Sequence, residues 1–287
     1  MSASVQLAMA PTSTSLLIAT YNWPQALSVV LASVRVQRRL PDEVIIADDG
    51  SGDDTRRLIA AEAQSFPVPL RHVWHEDEGF RLGTIRNKAM ATARGDYLMQ
   101  LDGDMVLDPF FVESHVAFAR AGSYVQGSRV MLDETRTAEC LAHGGIITHA
   151  LSSGVRNRVN ALHFPWLSGL VRGPTDPLRR TRGCNMAFWR DDILRVNGYN
   201  ETIEGWGRED SELAARLQQS GTARRNLKFS AVAWHLHHLT RSLASLDQNH
   251  EVFERTVAAR LTRCEKGIDQ WLPPAVGAVG GGADGRQ

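Results

Sequence analysis

Within the first hundred residues, short apolar runs alternate with segments that have helical spacing, and this alternation limits the possible folds. The runs have the length of buried strands and cover residues 15–20, 43–47, 70–74 and 96–101. Helical segments begin at Pro24, at Asp53 or Asp54 as a cap, and at Gly83. This order predicts a single α/β domain with a mostly parallel central sheet flanked by helices.

Acidic residues directly follow two of these predicted strands. Asp48 and Asp49 follow the second strand, and Asp102-Gly103-Asp104 follows the fourth. Because ligands bind at the carboxyl ends of such strands, we expect both pairs to serve one site. An Asp-x-Asp triplet alone is commoner in surface turns, but its place after a buried strand favours a divalent ion bound with a diphosphate.

The second half of the chain is less regular. Helical patterns cover residues 109–121, 191–196, 210–219 and 250–266. Strand patterns cover residues 124–130 and 229–234. Residues 144–177 are rich in Gly, Pro and Ser and predict a long loop, a feature that is usually functional inside a compact domain.

A tryptophan between two glycines precedes two carboxylates at the start of a predicted helix. Trp206, flanked by Gly205 and Gly207, can stack on a sugar ring, and Glu209 or Asp210 can take a proton from an attacking hydroxyl. The alternative is a helix whose acidic first turn merely favours its dipole. Two glycines around a tryptophan would be costly in a segment that only precedes a helix, so the pattern favours a sugar-binding site.

Histidines and basic residues supply two further candidates. His235, His237 and His238 follow the last predicted strand, where one of them can complete a metal site. A zinc hydrolase is an alternative, although the run lacks the helical spacing and the Glu of the zincin pattern. Arg86 and Asn87 lie near a glycine turn, where they can approach a diphosphate.

Composition narrows the class of partner. The 32 basic and 32 acidic side chains give a net charge of zero, which argues against a broad nucleic-acid-binding face. The three cysteines are far apart and are expected to be reduced thiols. No apolar run approaches the roughly 20 residues that span a bilayer. Peripheral attachment to a membrane stays open.

Several of these motifs, in this order, resemble one enzyme family. Thr20-Tyr21-Asn22, Asp48 to Ser51, Arg86-Asn87 and the Asp102 triplet are similar to the donor-site motifs of family 2 glycosyltransferases, which have the Rossmann-like GT-A fold. Residues 182–185, 205–212 and 235–238 resemble an acceptor half. That half is shared with β-1,4-galactosyltransferases and with bacterial chondroitin- and capsule-polymerising enzymes.

The resemblance implies a role for each matching residue. The implied donor site consists of Thr20, Tyr21, Asn22, Asp49, Arg86, Asn87, Asp102 and Gly103. The implied ligands of Mn²⁺ or Mg²⁺ are Asp104 and His235, with Asp102 beside them and His237 as the fallback. Asp210 is the implied general base, and the implied acceptor site consists of Trp206, Gly207 and Glu209.

The implied activity is inverting transfer of a sugar from a nucleotide-sugar, with a UDP-sugar favoured, to a carbohydrate or glycolipid hydroxyl. Its implied setting is bacterial surface-polysaccharide or lipopolysaccharide synthesis in the cytoplasm, with the inner face of the membrane as an open alternative. One rival is a nucleotidyltransferase, although residues 15–23 lack the usual Gly-rich phosphate loop. The other is a non-catalytic carbohydrate-binding relative.

The expected organisation follows from the same motifs. Residues 15–105 form the donor half, and residues 106–240 form the acceptor and catalytic half. A helical segment at residues 241–272 follows, and residues 1–14 and 273–287 are flexible tails.

Overall fold

The computed structural model describes residues 10–170, 178, 181–239 and 244–273. Residues 1–9 and 274–287 of the predicted tails at 1–14 and 273–287, and residues 171–177 of the predicted loop, lie outside the described residues. The strands are β1 Thr14–Thr20, β2 Glu43–Asp48, β3 Leu70–Trp74, β4 Tyr97–Asp102, β5 Met105–Leu107, β6 Ser123–Gln126, β7 Val130–Leu132, β8 Val155–Arg156, β9 Asn185–Trp189, β10 Ala223–Asn226 and β11 Ala233–His235. The helices are α1 Pro24–Arg35, α2 Asp53–Ala63, α3 Leu82–Thr92, α4 Phe111–Phe118, α5 Glu134–His143, α6 Arg190–Val196, α7 Glu209–Gln219 and α8 Leu246–Ala258. Short 3-10 helices lie at Arg158–Ala161, Pro165–Leu170 and Ile268–Trp271.

Seven strands form the central sheet, in the order β10-β6-β9-β4-β1-β2-β3. β1 runs parallel to β2 and β4, and β3 continues the parallel set beyond β2. β9 is antiparallel to β4 and β6, between which it lies. Every residue of β1 is buried because apolar clusters cover both faces of the sheet, one including α1 and the other including α3. The predicted mostly parallel α/β sheet is therefore confirmed.

A smaller sheet, in the order β5-β11-β7-β8, completes the domain. β5 follows β4 after two residues, so the smaller sheet begins at the carboxyl end of the central one. β11 pairs antiparallel with β5 and parallel with β7. Because β11 ends at His235, the histidine run lies beside the Asp102 triplet.

The second half departs from several sequence predictions. Residues 124–130 contribute to two strands instead of one, because the chain passes from the central sheet at Gln126 to the smaller sheet at Val130. Phe229 and Ala231 have positive φ, so only the end of the predicted strand at 229–234 is extended. Helix α8 ends at Ala258 instead of residue 266, and α5 and β9 were not predicted. Gly52, not an aspartate, caps α2.

Candidate active site

The predicted motifs converge on a cavity of about 950 Å³ at the carboxyl ends of β1, β2 and β4. Its walls include Thr20, Tyr21 and Asp49 from the first two of these strand ends. The Asp102 triplet, the Trp206 segment and the three histidines also line it. The two acidic pairs predicted to share a rim therefore both reach the cavity, through Asp49 and through Asp102 and Asp104.

Asp49 is held at the cavity wall by groups of the neighbouring elements. Its Oδ1 lies 2.8 Å from Nε2 of His75, and its Oδ2 accepts the N–H of Arg81 at 3.2 Å. Tyr21 donates its hydroxyl to Asp77 Oδ2 at 2.8 Å. This end of the cavity is thus fixed by side chains from the segment that joins β3 to α3.

The turn between β4 and β5 requires a glycine. Gly103 donates its N–H to the Ala19 carbonyl at 2.6 Å. A Cβ at this position would lie 2.8 Å from the same carbonyl oxygen, which is too close for an unshifted backbone. The glycine lets the turn close against β1, and this places Asp102 and Asp104 at the cavity.

Asp104, His235 and His238 form a group that can hold a metal ion. Asp104 Oδ2 lies 3.7 Å from Nε2 of His235 and 3.2 Å from Nε2 of His238. Burial alone would raise the pKa of Asp104, but the His238 hydrogen bond and the charges of both imidazoles hold it below its ordinary value. Burial lowers the pKa of His235, which favours the neutral imidazole that a metal requires.

Two members of this group have polar atoms available for a ligand. Asp104 Oδ1 and His235 Nδ1 are buried and have no hydrogen-bond partner among the described residues. One carboxylate and two imidazoles form a donor set that fits a divalent transition metal. The residues present therefore fit the metal that the resemblance implies.

The fallback ligand His237 is not part of the group. Its backbone N–H donates to Thr137 Oγ1 at 2.7 Å. The structure brings His238 to Asp104 instead, because the chain leaves the strand at His235 and no longer alternates. Asp102 also lies outside this group, since its carboxylate is turned toward Arg86.

Arg86 connects two carboxylates of the cavity, Asp102 at the end of β4 and Asp210 at the start of α7. Its NH2 lies 2.7 Å from Asp102 Oδ1, and its NH1 lies 3.0 Å from Asp210 Oδ1. The guanidinium is almost completely buried and also packs over the ring of Tyr199, 5.3 Å from its centroid. Burial raises the pKa of Asp102 to about 6, against the opposing charge of Arg86.

Two donors bind Asp210, and a third group, the hydroxyl of Tyr199, lies close to it while also lying 2.9 Å from Gln100 Oε1, which competes for its single proton. Arg86 and the hydroxyl of Tyr199 lie 3.0 and 3.1 Å from Oδ1, and the N–H of Gly183 donates to Oδ2 at 2.6 Å. Gln100 in turn donates to the Gly183 carbonyl at 2.8 Å. A Cβ on Gly183 would lie 2.1 Å from Asp210 Oδ1, so the carboxylate needs a glycine at this place.

Glu209 and Trp206 occupy the neighbouring wall. Burial, followed by the charge of Asp210, raises the pKa of Glu209 to about 8. Glu209 Oε2 accepts the N–H of Gly207 at 3.1 Å, while Trp206 is 40% exposed. Arg208, which precedes α7, has a φ of +74°, a strained conformation of the kind that clusters at functional sites.

Two predicted donor residues do not line the cavity. Asn87 is fully buried, and its amide bonds to Tyr199 and Glu201. Asn22 accepts the N–H of Gly52 and supports the loop after β2. These contacts give both residues a structural role, and their contact with the donor stays a prediction.

Sequence reasoning missed Tyr199 and Gln100, and it passed over the candidate His238 in favour of His235 and His237. The first two lie on a loop and a strand whose local patterns carry no signal of a site. His238 follows His235 by three residues, a spacing that could have marked a pair of ligands on a turn.

Comparison with known proteins identifies similar families. Residues 15–147 match the family described as glycosyl transferase family 2, and residues 172–239 match the family described as the N-terminal domain of galactosyltransferase. A chondroitin synthase of Escherichia coli is 28% identical over 238 residues, which are 77% of this chain and 34% of that protein. The chain thus spans about a third of the length of that relative.

Solved structures share the fold. S. aureus TarS 1-349 in complex with UDP superposes with a TM-score of 0.61 at 15% identity, covering 91% of this chain and 68% of that one. GalNAc-T7 with UDP, GalNAc and Mn²⁺ superposes with a TM-score of 0.59 at 16% identity, covering 86% of this chain and 50% of that one.

A mostly parallel sheet that carries an Asp-x-Asp turn, with an acidic helix start facing it across one cavity, defines a glycosyltransferase of the GT-A class. Residues 15–147 carry the glycosyl transferase family 2 segment, and the second half of the chain carries the galactosyltransferase-type segment. The resemblance drawn from the sequence is therefore confirmed. None of the helices among the described residues is long and apolar enough to cross a membrane.

Proposed function

We propose that this protein is an inverting glycosyltransferase that moves a sugar from a nucleotide-sugar, with a UDP-sugar favoured, to a hydroxyl of a carbohydrate or glycolipid acceptor. The observation that carries this proposal is the bridge from Asp102 through Arg86 to Asp210. It joins the motif of the donor half, residues 15–105, to the motif of the acceptor half, residues 106–240.

The donor would lie against the strand ends of the first half. Thr20, Tyr21 and Asp49 line the part of the cavity proposed for the nucleotide base, and Asp102 with Gly103 lines the part proposed for the ribose and diphosphate. UDP is favoured because structural neighbours were solved with UDP. Arg86 contributes its positive charge from behind Asp102.

Asp104, His235 and His238 are the residues proposed to hold the metal ion. Mn²⁺ fits this set better than Mg²⁺, because imidazole nitrogen suits transition metals and Mg²⁺ prefers oxygen ligands alone. When bound, the ion would offset negative charge on the departing diphosphate.

Asp210 is the group best suited to act as general base. A carboxylate has about four lone-pair positions. Arg86 and the N–H of Gly183 occupy two of those of Asp210, and the Tyr199 hydroxyl, whose proton Gln100 also attracts, can occupy a third, so a position is left for an acceptor hydroxyl. Arg86 stabilises the ionised carboxylate. Glu209 is a poorer base near neutral pH, because its raised pKa keeps it protonated, and as an acid it can donate a hydrogen bond to the acceptor.

The reaction follows from this placement. Asp210 takes the proton of the acceptor hydroxyl as that oxygen attacks the anomeric carbon. The bond from that carbon to the diphosphate breaks on the opposite side, so an α-linked donor gives a β-linked product. Trp206, half exposed beside Gly207, would stack on the acceptor sugar and align the hydroxyl.

A setting at the inner face of a membrane is proposed from the surface of the segment after α5. Trp166 and Leu170 are each 74% exposed, on a 3-10 helix that Ser168 anchors through a hydrogen bond to the Lys228 carbonyl. Residues 140–175 contain no Asp or Glu, so anionic lipids would not be repelled. Exposed tryptophan suits the lipid interface.

Vesicle sedimentation tests this setting. The chain should bind vesicles of phosphatidylglycerol and phosphatidylcholine, and Trp166→Ser with Leu170→Ser should abolish binding. Val36→Ser is the control, since Val36 is exposed on another element. Equal binding by the double variant and the control would contradict attachment.

Surface-polysaccharide or lipopolysaccharide synthesis is the proposed role, and unchanged surface glycans in a deletion strain would contradict it.

A panel of nucleotide-sugars, with and without Mn²⁺, tests the activity itself. We expect release of the nucleoside diphosphate from one donor, dependent on Mn²⁺ and on an added acceptor. Formation of a nucleotide-sugar from a nucleoside triphosphate and a sugar phosphate would indicate a nucleotidyltransferase instead. Binding of sugars without turnover of any donor would indicate a non-catalytic relative.

A further inference from the structure

A recess of about 210 Å³ opens beside the catalytic cavity and is lined by Arg129, Met131, Arg156, Asn157 and Arg182. All of these residues except Asn157 also line the cavity, so the two spaces are continuous. Three of the five wall residues are arginines, and none is acidic. The recess is a cationic extension of the cavity that the proposed donor and base residues do not use.

Part of the wall of the recess is formed by one face of the smaller sheet, because side chains alternate along its strands. Val130, Leu132 and Val155 of the smaller sheet are buried in the core. Their neighbours along the strands must point to the other face, because successive side chains alternate. Met131 pairs with Arg156 across β7 and β8, and Arg129 lies two residues before Met131. The arginines therefore share the face of the sheet that looks into the recess.

The charge of Arg129 is partly offset by Asp104, whose pKa it lowers, but this interaction is not an ion pair. Neither Arg129 nor Arg156 forms an ion pair with an acidic side chain in the described part of the chain. The only side-chain hydrogen bond found there for Arg129 is a long contact of 3.7 Å to the sulfur of Cys184. Residues 140–175, which include Arg156, contain no Asp or Glu. Guanidinium groups without an ion pair, such as those of Arg129 and Arg156, favour an anionic ligand in a concave site.

The third arginine connects the recess to the proposed base. Gln126 binds the backbone of Arg182 on both sides, accepting its N–H at 3.1 Å and donating to its carbonyl at 2.8 Å. The next residue, Gly183, donates its N–H to Asp210. The backbone of Arg182 is thus fixed directly before Gly183, whose N–H binds the proposed base Asp210.

We propose that this recess binds an anionic group, a carboxylate or a phosphate, that is carried by the acceptor. The proposal rests on the proposed function, because it places the acceptor in the cavity beside Asp210. It extends that function by naming the chemical class of the acceptor: an acidic sugar or a sugar phosphate. The planar guanidinium groups can bind either anion in a bidentate manner.

The donor diphosphate is a less suitable occupant. The residues proposed for the nucleotide come from the ends of β1, β2 and β4, and none of them lines the recess. Arg156 lies on β8, and Asn157 directly follows it. β8 is the edge strand of the smaller sheet at the opposite side from β5. The recess is therefore built by the acceptor half alone.

Calorimetric titration of the full chain, with UDP and Mn²⁺ at saturation, tests the proposal. The probes are glucuronate, glucose 6-phosphate and, as the neutral reference, glucose. Variants Arg156→Ala and Arg182→Ala remove charge from the recess. Arg57→Ala is the matched control, because Arg57 is exposed on α2 and pairs only with Asp54 among the described residues. The affinity of each variant for UDP is measured separately.

We expect at least one anionic probe to bind about 10-fold or more tightly than glucose. This preference should disappear in Arg156→Ala and Arg182→Ala and persist in Arg57→Ala, while the affinity for UDP changes less than about twofold. Preference for glucuronate assigns a carboxylate, and preference for glucose 6-phosphate assigns a phosphate. Absence of any preference for an anion, or its survival in both recess variants, would overturn the proposal.

Two outcomes separate this proposal from the proposed function. A loss of UDP affinity in Arg156→Ala, with no change for the anionic probes, would assign the recess to the donor and overturn the acceptor subsite. Anion binding that depends on the arginines, in a protein that turns over no nucleotide-sugar, would support the subsite while the proposed transferase activity fails.

Discussion

The guanidinium of Arg86 lies 3.0 Å from the Oδ1 atom of Asp210, although 124 residues separate the two in the chain. The same guanidinium contacts Asp102 at 2.7 Å. One buried cation thus fixes the relative position of the proposed donor carboxylate and the proposed base. The geometry of the proposed transfer would therefore depend on a residue that is only 2% exposed.

Arg86→Lys tests this bridge. A lysine has a single nitrogen and cannot reproduce the fork that contacts both carboxylates, so one of them loses its partner. We expect the free energy of unfolding to fall by about 1–3 kcal/mol and transfer to fall at least about 10-fold. Denaturant unfolding and a transfer assay measure these effects. Arg57→Lys, at an exposed ion pair, should change stability by less than about 0.5 kcal/mol. Equal behaviour of the two variants would contradict the bridge.

Gly183→Ala tests the placement of the base without removing it. The added methyl would lie 2.1 Å from Asp210 Oδ1, so the carboxylate must shift. A displacement of about 1 Å can cost about 100-fold in rate, and we expect a loss of that order with unchanged affinity for UDP. Gly145→Ala is the matched control, because nothing described lies within 4 Å of its added Cβ. Full activity of Gly183→Ala would show that Asp210 needs no such positioning.

The histidine run gives a paired test of the metal site. His238→Ala should weaken Mn²⁺ binding at least about 10-fold, because the ion loses a ligand, and Asp104→Ala should remove donor binding that depends on Mn²⁺. His237→Ala should leave Mn²⁺ affinity within about twofold of the wild type, since only the backbone of His237 is used to bind Thr137. Electron paramagnetic resonance of Mn²⁺ measures these affinities. The reverse order of the two histidine variants would restore His237 as the ligand.

Glu209 predicts a pH dependence of stability. Its pKa is raised from 4.5 to about 8 by burial, so the folded state retains a proton that the unfolded state releases. The stabilisation is fully present below pH 4.5 and is lost as pH rises through about 8, with a slope of at most about 1.4 kcal/mol per pH unit. Glu209→Gln should abolish this component in denaturant unfolding between pH 5 and 8. Parallel curves for the variant and the wild type would contradict the raised pKa.

The donor side of the site could be predicted because its signals are local. An apolar run predicts a buried strand, and a strand end in a parallel sheet predicts a ligand rim, so Asp49, Asp102 and Asp104 were all placed at the cavity. Arg86 and Asn87 show the limit of this reasoning. Neighbours on a helix point about 100° apart, and Arg86 faces the cavity while Asn87 packs against the Tyr199 loop.

The acceptor side depends on contacts between distant segments. Tyr199 and Gln100 reach Asp210 and Gly183 only because β9 inserts beside β4, and no local pattern predicted β9. The choice of His238 over His237 has a similar cause. Strand alternation would place His235 and His237 on one side, but the strand ends at His235 and the chain then turns.

The central claim, that Asp210 is the general base of a nucleotide-sugar-dependent transfer, is tested most directly by Asp210→Asn. The amide keeps the shape of the side chain but cannot accept the proton, so transfer should fall by about 10²–10⁴-fold. The affinity for the donor in the presence of Mn²⁺ should stay close to that of the wild type, because Asp102 and Asp104 are intact. Full transfer activity in Asp210→Asn would contradict the account.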